Sequence, residues 1–112
     1  MPDCLFCRIV AKEIPAQIVA ETDDCVAFRD IAPQAPTHVL IIPKAHVDSL
    51  DGVTDPGLAG RLLLLAADVA RQLGVAAAGY RVVLNTGQDG GQTVSHLHAH
   101  LLAGRQLHWP PG

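Results

Sequence analysis

The sequence predicts an α+β domain built around an antiparallel sheet. Three observations carry that expectation. Short runs rich in Val, Ile and Leu follow one another across turn-length gaps, the order of a hairpin series. One longer segment, 55–73, instead has apolar residues at spacings of three and four, the mark of an amphipathic helix. The 112 residues fit one domain, 1–112, with a modest core. The expected layout is an antiparallel meander of about five strands with two helices.

Cys4 to Ala11 reads as a short helix, with Leu5, Phe6, Ile9 and Val10 at helical spacing. Glu13-Ile14-Pro15 should end it, because the residue before a proline disfavours helix. Gln17 to Glu21 and Val26 to Arg29 are short strands around a turn at Thr22-Asp23-Asp24. Two prolines keep Ile31 to Pro36 irregular. His38 to Pro43, with Val39-Leu40-Ile41-Ile42, reads as a buried strand. In the long helix Asp55 is the N-cap and Pro56 the first helical residue. Leu58, Leu62, Leu65, Val69 and Leu73 form its apolar stripe, and Gly74 stops it. Tyr80 to Asn85 is a strand, Gln88 to Gly91 a turn, and His96 to Leu102 the last strand. The tail ends in Trp109-Pro110-Pro111-Gly112.

Composition narrows the function classes. Hydrophobic residues make up 49% and charged residues 17%, so some apolar surface is expected to meet a partner subunit. The net charge of -3 and the lack of a basic run argue against nucleic-acid binding and against a membrane-surface role. No run approaches the roughly 18 apolar residues of a membrane span. Met1-Pro2-Asp3-Cys4 does not open an export signal, and three cysteines, Cys4, Cys7 and Cys25, make no disulfide framework. Together these point to a reducing, cytoplasmic setting.

The segment richest in chemistry is His96-Leu97-His98-Ala99-His100. On a strand, alternate side chains share a face, so the three histidines would line one side about 7 Å apart, with Leu97, Ala99 and Leu101 in the core. Three readings are open. The histidines bind a metal, as His-x-His on a strand can. One of them is a nucleophile and its neighbours hold an anion. Or they are satisfied surface histidines on an ordinary strand. The loop Asn85 to Thr93 favours the second: its glycines let backbone amides approach a phosphate, and Asn85, Gln92 and Thr93 add neutral donors.

His96-Leu97-His98-Ala99-His100-Leu101-Leu102 also resembles, at every position, the signature of the histidine-triad family: three histidines alternating with apolar residues. Lys12 to Pro15, Asp30 to His38, Ile42-Pro43-Lys44, Asp89 to Gln92 and the tail Gly104 to Gly112 are similar to the phosphoramidase branch of that family. The likeness spans nearly the whole chain. It departs at Thr93, where serine is usual, and at Ser95, where an aromatic is common.

The resemblance implies a fold, a reaction and a set of roles. The fold would be the histidine-triad one, with sheets joined edge to edge across a homodimer and the tail, 104–112, touching the partner subunit. The reaction would be hydrolysis of the P–N bond of adenosine or guanosine 5′-monophosphoramidates, releasing a purine nucleoside monophosphate and an amine. His98 would be the nucleophile, with a backbone carbonyl holding the proton on its other nitrogen. His100 would bond the phosphate and assist the leaving group, and His96 and His38 would support the cluster. Asn85, Gly91, Gln92 and Thr93 would bind the phosphate, and Asp30 the ribose hydroxyls. Leu5, Phe6, Ile9, Ile14 and Phe28 would form the slot for the base. Trp109 would reach the neighbouring subunit's substrate.

No magnesium-binding carboxylate cluster is apparent, so no cofactor is expected for catalysis. Cys4-Leu5-Phe6-Cys7 is, by itself, compatible with zinc, redox work or packing. Some bacterial members of the family hold a structural zinc with such a pair and two histidines, which makes Cys4, Cys7, His46 and His96 a possible zinc set. A tension follows, because His96 would have to serve both the metal and His98. Cys25 reads as a small buried residue. Two functional alternatives stand beside the phosphoramidase: a nucleotide-binding regulatory module with incidental hydrolysis, and a zinc hydrolase using the His-x-His pair.

Overall fold

The computed structural model describes residues 3–112; Met1 and Pro2, the start of the segment read for an export signal, lie outside them. Five strands form one antiparallel sheet: β1 (Ile18–Glu21), β2 (Cys25–Arg29), β3 (Thr37–Pro43), β4 (Tyr80–Val83) and β5 (Ala99–Ala103). Among the described residues three α-helices accompany it, α1 (Leu5–Val10), α2 (Pro56–Gln72) and the single turn α3 (Gly87–Gly90), where a turn was expected, with a short 3₁₀ helix at Leu50–Gly52. No helix among the described residues is long and apolar enough to cross a membrane.

The sheet departs from a plain meander. Its order is β1-β2-β3-β5-β4, so the last strand inserts beside β3 and leaves β4 at the edge. Burial explains the choice. Alternate β5 residues, Ala99, Leu101 and Ala103, are at most 1% exposed, whereas every β4 residue keeps some exposure. The strand with the more apolar inward face takes the central place.

The two faces of the sheet carry separate cores. On one, Leu62, Leu65, Ala66, Val69 and Ala70 of α2 pack on Ala27, Val39, Ile41, Ala99 and Leu101. On the other, Phe6 and Ile9 of α1 pack on Val26, Phe28, Leu40 and Ile42. Alternation along β2 and β3 feeds both. Each buried Leu, Ile or Phe contributes roughly 1.5–3 kcal/mol relative to exposure. Helix α2 starts as its sequence dictates, with the Asp55 carboxylate accepting from the Gly57 amide at 2.9 Å, and stops at Gly74 with φ +75°. Leu63 and Leu64, on its outer side, are exposed.

Helix α1 ends earlier than Pro15 required. Lys12 takes a left-handed backbone, φ +64°, so that Lys12 N–H reaches the Ile9 carbonyl and Glu13 N–H the Arg8 carbonyl. This is the Schellman stop, made here without its usual glycine. After β5 the chain turns at Gly104, φ +97°, where an added Cβ would lie 2.8 Å from Pro36 Cβ. The next residue, Arg105, donates to the Gln34 carbonyl at 3.0 Å.

Candidate functional site

The histidine segment begins before the ladder does. Residues 94–96 bend, and Leu97 N–H donates to the Val47 carbonyl at 2.7 Å; pairing with β3 and β4 begins only around Ala99 and His100. Leu97, Ala99 and Leu101 enter the α2-side core, as alternation requires. The three histidines do not form one row. His98 and His100 face a cavity with ring centroids 4.9 Å apart, while the His96 ring turns to another group of residues.

Tautomers follow from the hydrogen bonds, since each neutral imidazole has one donor and one acceptor nitrogen. Gln34 N–H donates to His38 Nδ1 at 3.0 Å, so the His38 proton sits on Nε2. That N–H faces His100 Nδ1 at 2.9 Å, with Asp30 Oδ2 3.4 Å away. His100 must then carry its own proton on Nε2. His98 Nδ1 lies 2.7 Å from the His96 carbonyl, which can only accept; its proton is on Nδ1 and its lone pair on Nε2. Among the described residues no wholly buried side-chain nitrogen or oxygen lacks a partner. His98 Nε2 has none among the described residues, and the His98 side chain lines the cavity. The site presents a lone pair on His98 beside an N–H on His100.

Both supporting histidines are neutral at neutral pH. Burial pushes His100 down to about 4, helped by the neighbouring His98 and His38 and opposed by Asp30. Burial also lowers His38, against the pull of the Asp30 carboxylate. The cavity holds about 270 Å³. Leu5, Phe6, Ile9, Ile14 and Phe28 line it as expected, with Asp30, Thr93, His98 and His100 at its polar end. Asp30 Oδ1 accepts from Ala32 N–H at 2.8 Å, which fixes the carboxylate in its loop.

Other residues fall elsewhere. Asn85, Gly91 and Gln92 are not among the lining residues. The Gln92 amide is consumed by backbone partners: Nε2 donates to the Asp48 and Val94 carbonyls at 2.7 and 3.0 Å, and Oε1 accepts from Gly87 N–H at 3.1 Å. Its side chain is therefore a brace for the glycine turn, not a free phosphate donor. Trp109 is 81% exposed and outside its own chain's cavity. Six lining residues went unforeseen: Pro15, Ala16, Arg29, Ile31, Leu40 and Val94. Ile31, fully exposed beside Asp30, had a signal in its apolar side chain within a proline-bounded loop. A larger open groove, about 530 Å³, lies between residues 78–81 and 104–107, lined by no histidine.

The second cluster is Cys4, Cys7, His46 and His96, whose donor atoms all lie within 4.8 Å of one another. His96 Nδ1 is 3.4 Å from Cys4 Sγ and 3.5 Å from Cys7 Sγ; His46 Nδ1 is 3.3 Å from Cys7 Sγ. On the far side of each ring, Nε2–H is held, by the Pro43 carbonyl at 2.8 Å for His96 and by Asp48 Oδ1 at 2.8 Å for His46. Both rings so offer an Nδ1 lone pair to the thiols. Burial and the adjacent Cys4 side chain push the Cys7 thiol up, and a cation binding there would displace its proton. Two thiols, two imidazoles and a polar partner behind each ring fit a closed tetrahedral zinc. Cys25 lies apart, sealed in the α2-side core, and burial pushes its thiol up to about 11.

Asp30, His38 and His100 also converge within 4.8 Å, but their tautomers oppose a metal. The Gln34 amide occupies the His38 Nδ1 lone pair, so Nε2 must keep its proton and has no lone pair to give. The tension over His96 also resolves. Its ring joins the thiols, and only its backbone carbonyl reaches His98.

Comparison with known proteins matches residues 11–107 to the HIT domain. A HIT-like protein of Synechococcus elongatus is 54% identical over 98% of this chain and 97% of its own length. The adenylylsulfatase HINT1 of Arabidopsis thaliana is 48% identical over 96% of this chain and 76% of that protein. A crystal structure of a HIT family hydrolase from Legionella pneumophila superposes with a TM-score of 0.95 at 50% identity, covering 98% of this chain and all of that one.

Proposed function

The chain belongs to the HIT domain family, on its HINT-like branch, and from that premise we propose that it is a purine nucleoside phosphoramidase. The observation that carries the reading is the His98–His100 pair: an unprotonated Nε2 and a neutral N–H donor, both set by hydrogen bonds, at the polar end of an apolar cavity. In the first step His98 Nε2 bonds to phosphorus, the P–N bond breaks, and the amine leaves with the proton of His100 Nε2. In the second, water attacks phosphorus and gives a proton back to His100 Nε2, the His98–phosphorus bond breaks, and the nucleoside monophosphate departs. His100 Nε2–H bonds the phosphate and assists departure of the amine, held in that tautomer by His38. Positioning and fixed dipoles supply most of the rate, as expected for phosphoryl chemistry.

Phe6, Ile9, Ile14, Leu5 and Phe28 hold the purine, and Asp30 Oδ2 accepts from the ribose hydroxyls. Thr93 donates to the phosphate from the cavity wall. The active form is a homodimer of single-domain chains, supported by the exposed Leu63, Leu64 and Tyr80. The tail, 104–112, then carries Trp109 to the partner's site. A zinc bound by Cys4, Cys7, His46 and His96 supplies a cross-link between α1, the 44–48 loop and the histidine segment, and takes no part in the steps above.

The Arabidopsis relative's name motivates a second reading, hydrolysis of an adenylyl sulfate, by the same attack on phosphorus with sulfate as leaving group. A substrate panel separates the possibilities: adenosine and guanosine phosphoramidates, adenylyl sulfate and dinucleoside polyphosphates, assayed on the purified dimer. The phosphoramidase reading expects the highest kcat/KM for the phosphoramidates. A higher value for adenylyl sulfate replaces it with the second reading, and nucleotide binding without turnover leaves a regulatory module.

A further inference from the structure

The zinc-ligand cluster and the nucleotide cavity share parts. His96 puts its ring beside Cys4 and Cys7 and its carbonyl on His98 Nδ1, 2.7 Å away. Phe6 sits between Cys4 and Cys7 on α1, 4% exposed. Its ring meets His98 edge-on at 5.2 Å, His96 at 5.9 Å and Phe28 at 5.5 Å, and it lines the cavity. Helix α1 is only six residues long. An isolated helix of that length does not hold itself, so its place depends on what anchors it. Its anchors are Phe6 and Ile9 in the cavity-side core and the two thiols beside His46 and His96.

From this shared hardware we propose that the Cys4–Cys7–His46–His96 cluster is a positioning device for the nucleophile, with metal occupancy and nucleotide binding coupled through His96 and Phe6. The proposal rests on the nucleotide-site reading above. A cation holding both thiols and both rings fixes the His96 peptide, and with it the acceptor that sets the His98 tautomer. It also fixes α1, and with it the Phe6 wall against both the base and the His98 ring. Release of the cation leaves the His96 ring held only through its Nε2–H on the Pro43 carbonyl, and unties it from the first turn of α1. The cavity then loses a wall and His98 loses the constraint on its Nδ1 acceptor.

Coupling of this kind is reciprocal: if metal tightens nucleotide binding by some factor, nucleotide tightens metal binding by the same factor. The test therefore reads the metal, not turnover. Full-length zinc-loaded protein is mixed with a chromogenic chelator, with and without saturating adenosine 5′-monophosphate, and zinc release is followed to equilibrium. The expected result, read as the equilibrium split of zinc between protein and chelator, is a zinc affinity raised about tenfold by the nucleotide, within the usual range for coupled sites. Phe6→Leu keeps all four zinc ligands and an apolar wall but loses the ring that touches both histidines; its zinc affinity should respond less than twofold. Zinc affinity unchanged by the nucleotide in the wild type, with binding shown separately by equilibrium dialysis, overturns the coupling.

A second measurement is independent of nucleotide. In the zinc-loaded wild type the His98 Nδ1–H should exchange slowly with solvent by NMR, and in the zinc-free wild type at least tenfold faster. Equal exchange in the two overturns the positioning role. If the nucleotide fails to bind either protein, the phosphoramidase reading falls, and the exchange rates alone decide the proposal.

Discussion

Two histidine clusters lie next to each other in this chain, and their hydrogen bonds sort them into different chemistry. In the Cys4–Cys7–His46–His96 group each imidazole gives its Nε2–H to an oxygen behind it and turns a lone pair inward. In the His38–His98–His100 group the Gln34 amide takes one lone pair, which forces a chain of N–H donors that ends in the cavity. The first arrangement asks for a cation. The second presents one nucleophilic nitrogen and one donor, and refuses a metal. Residue type alone does not make this distinction; the atom tied behind each ring does.

The comparison can be broken most severely at His98. His98→Ala should lower kcat by several powers of ten, because removal of a nucleophile costs that much, while nucleotide affinity and zinc content stay near wild type. Steady-state kinetics and metal analysis check it; zinc loss on this substitution would merge the two clusters.

Next in size is Cys7→Ser, which should lose zinc and with it the stability that metal binding contributes. That is about 4 kcal/mol at a free metal concentration a thousand times Kd, read from denaturant unfolding with and without added zinc. A variant that keeps one zinc per chain would place the metal elsewhere.

Asp30→Asn tests the acceptor for the ribose hydroxyls. The wild type should bind 2′-deoxy nucleotides more weakly by roughly 1–3 kcal/mol, the penalty for an unpaired carboxylate, and the variant should lose most of that difference. Equal affinity of the wild type for ribose and deoxyribose ligands would remove Asp30 from the site.

The smallest effect is acid sensitivity. Folded His100 takes its proton only near pH 4, whereas in the unfolded chain it titrates near 6.5. Between those values the unfolded state binds more protons, so stability falls as pH drops from about 6.5 to about 4. His38, lowered in the same direction, adds to it. The free energy of unfolding should drop about 1 kcal/mol more from pH 7 to pH 5 in the wild type than in His100→Asn, once solvent screening is allowed for. The zinc contribution, shared by both proteins, cancels. A steeper acid loss in the variant would mean that His100 is not held neutral.

What could be read in advance was local. The Asp55 cap, the α2 stripe and the stop at Gly74 each depend on residues a few positions apart, and all appear in the structure. The opposite placement of Leu97, Ala99 and Leu101 from His98 and His100 also follows from backbone alternation. What could not be read depends on distant partners. The Val47 carbonyl that bends the chain ahead of β5, and the Asp48 carbonyl that consumes Gln92, belong to a loop more than forty residues away in sequence. The insertion of β5 beside β3 is a competition between two strands for the sheet centre, decided by burial that no local pattern displays. The double duty of His96 was hidden because a one-letter sequence does not separate a side chain from its own carbonyl.

Gly104 carries a consequence for variation in this chain. It is an exposed position, where substitution is ordinarily free. Its left-handed backbone and its closeness to Pro36 leave no room for a side chain. Pro36 lies in the loop whose Gln34 amide sets His38, and Arg105 grips the same loop. In a library of all twenty residues at every position, 104 should therefore show the intolerance of a core site. Its surviving substitutions should spoil turnover before they spoil folding, so that a water-facing glycine records selection on proton placement some distance away.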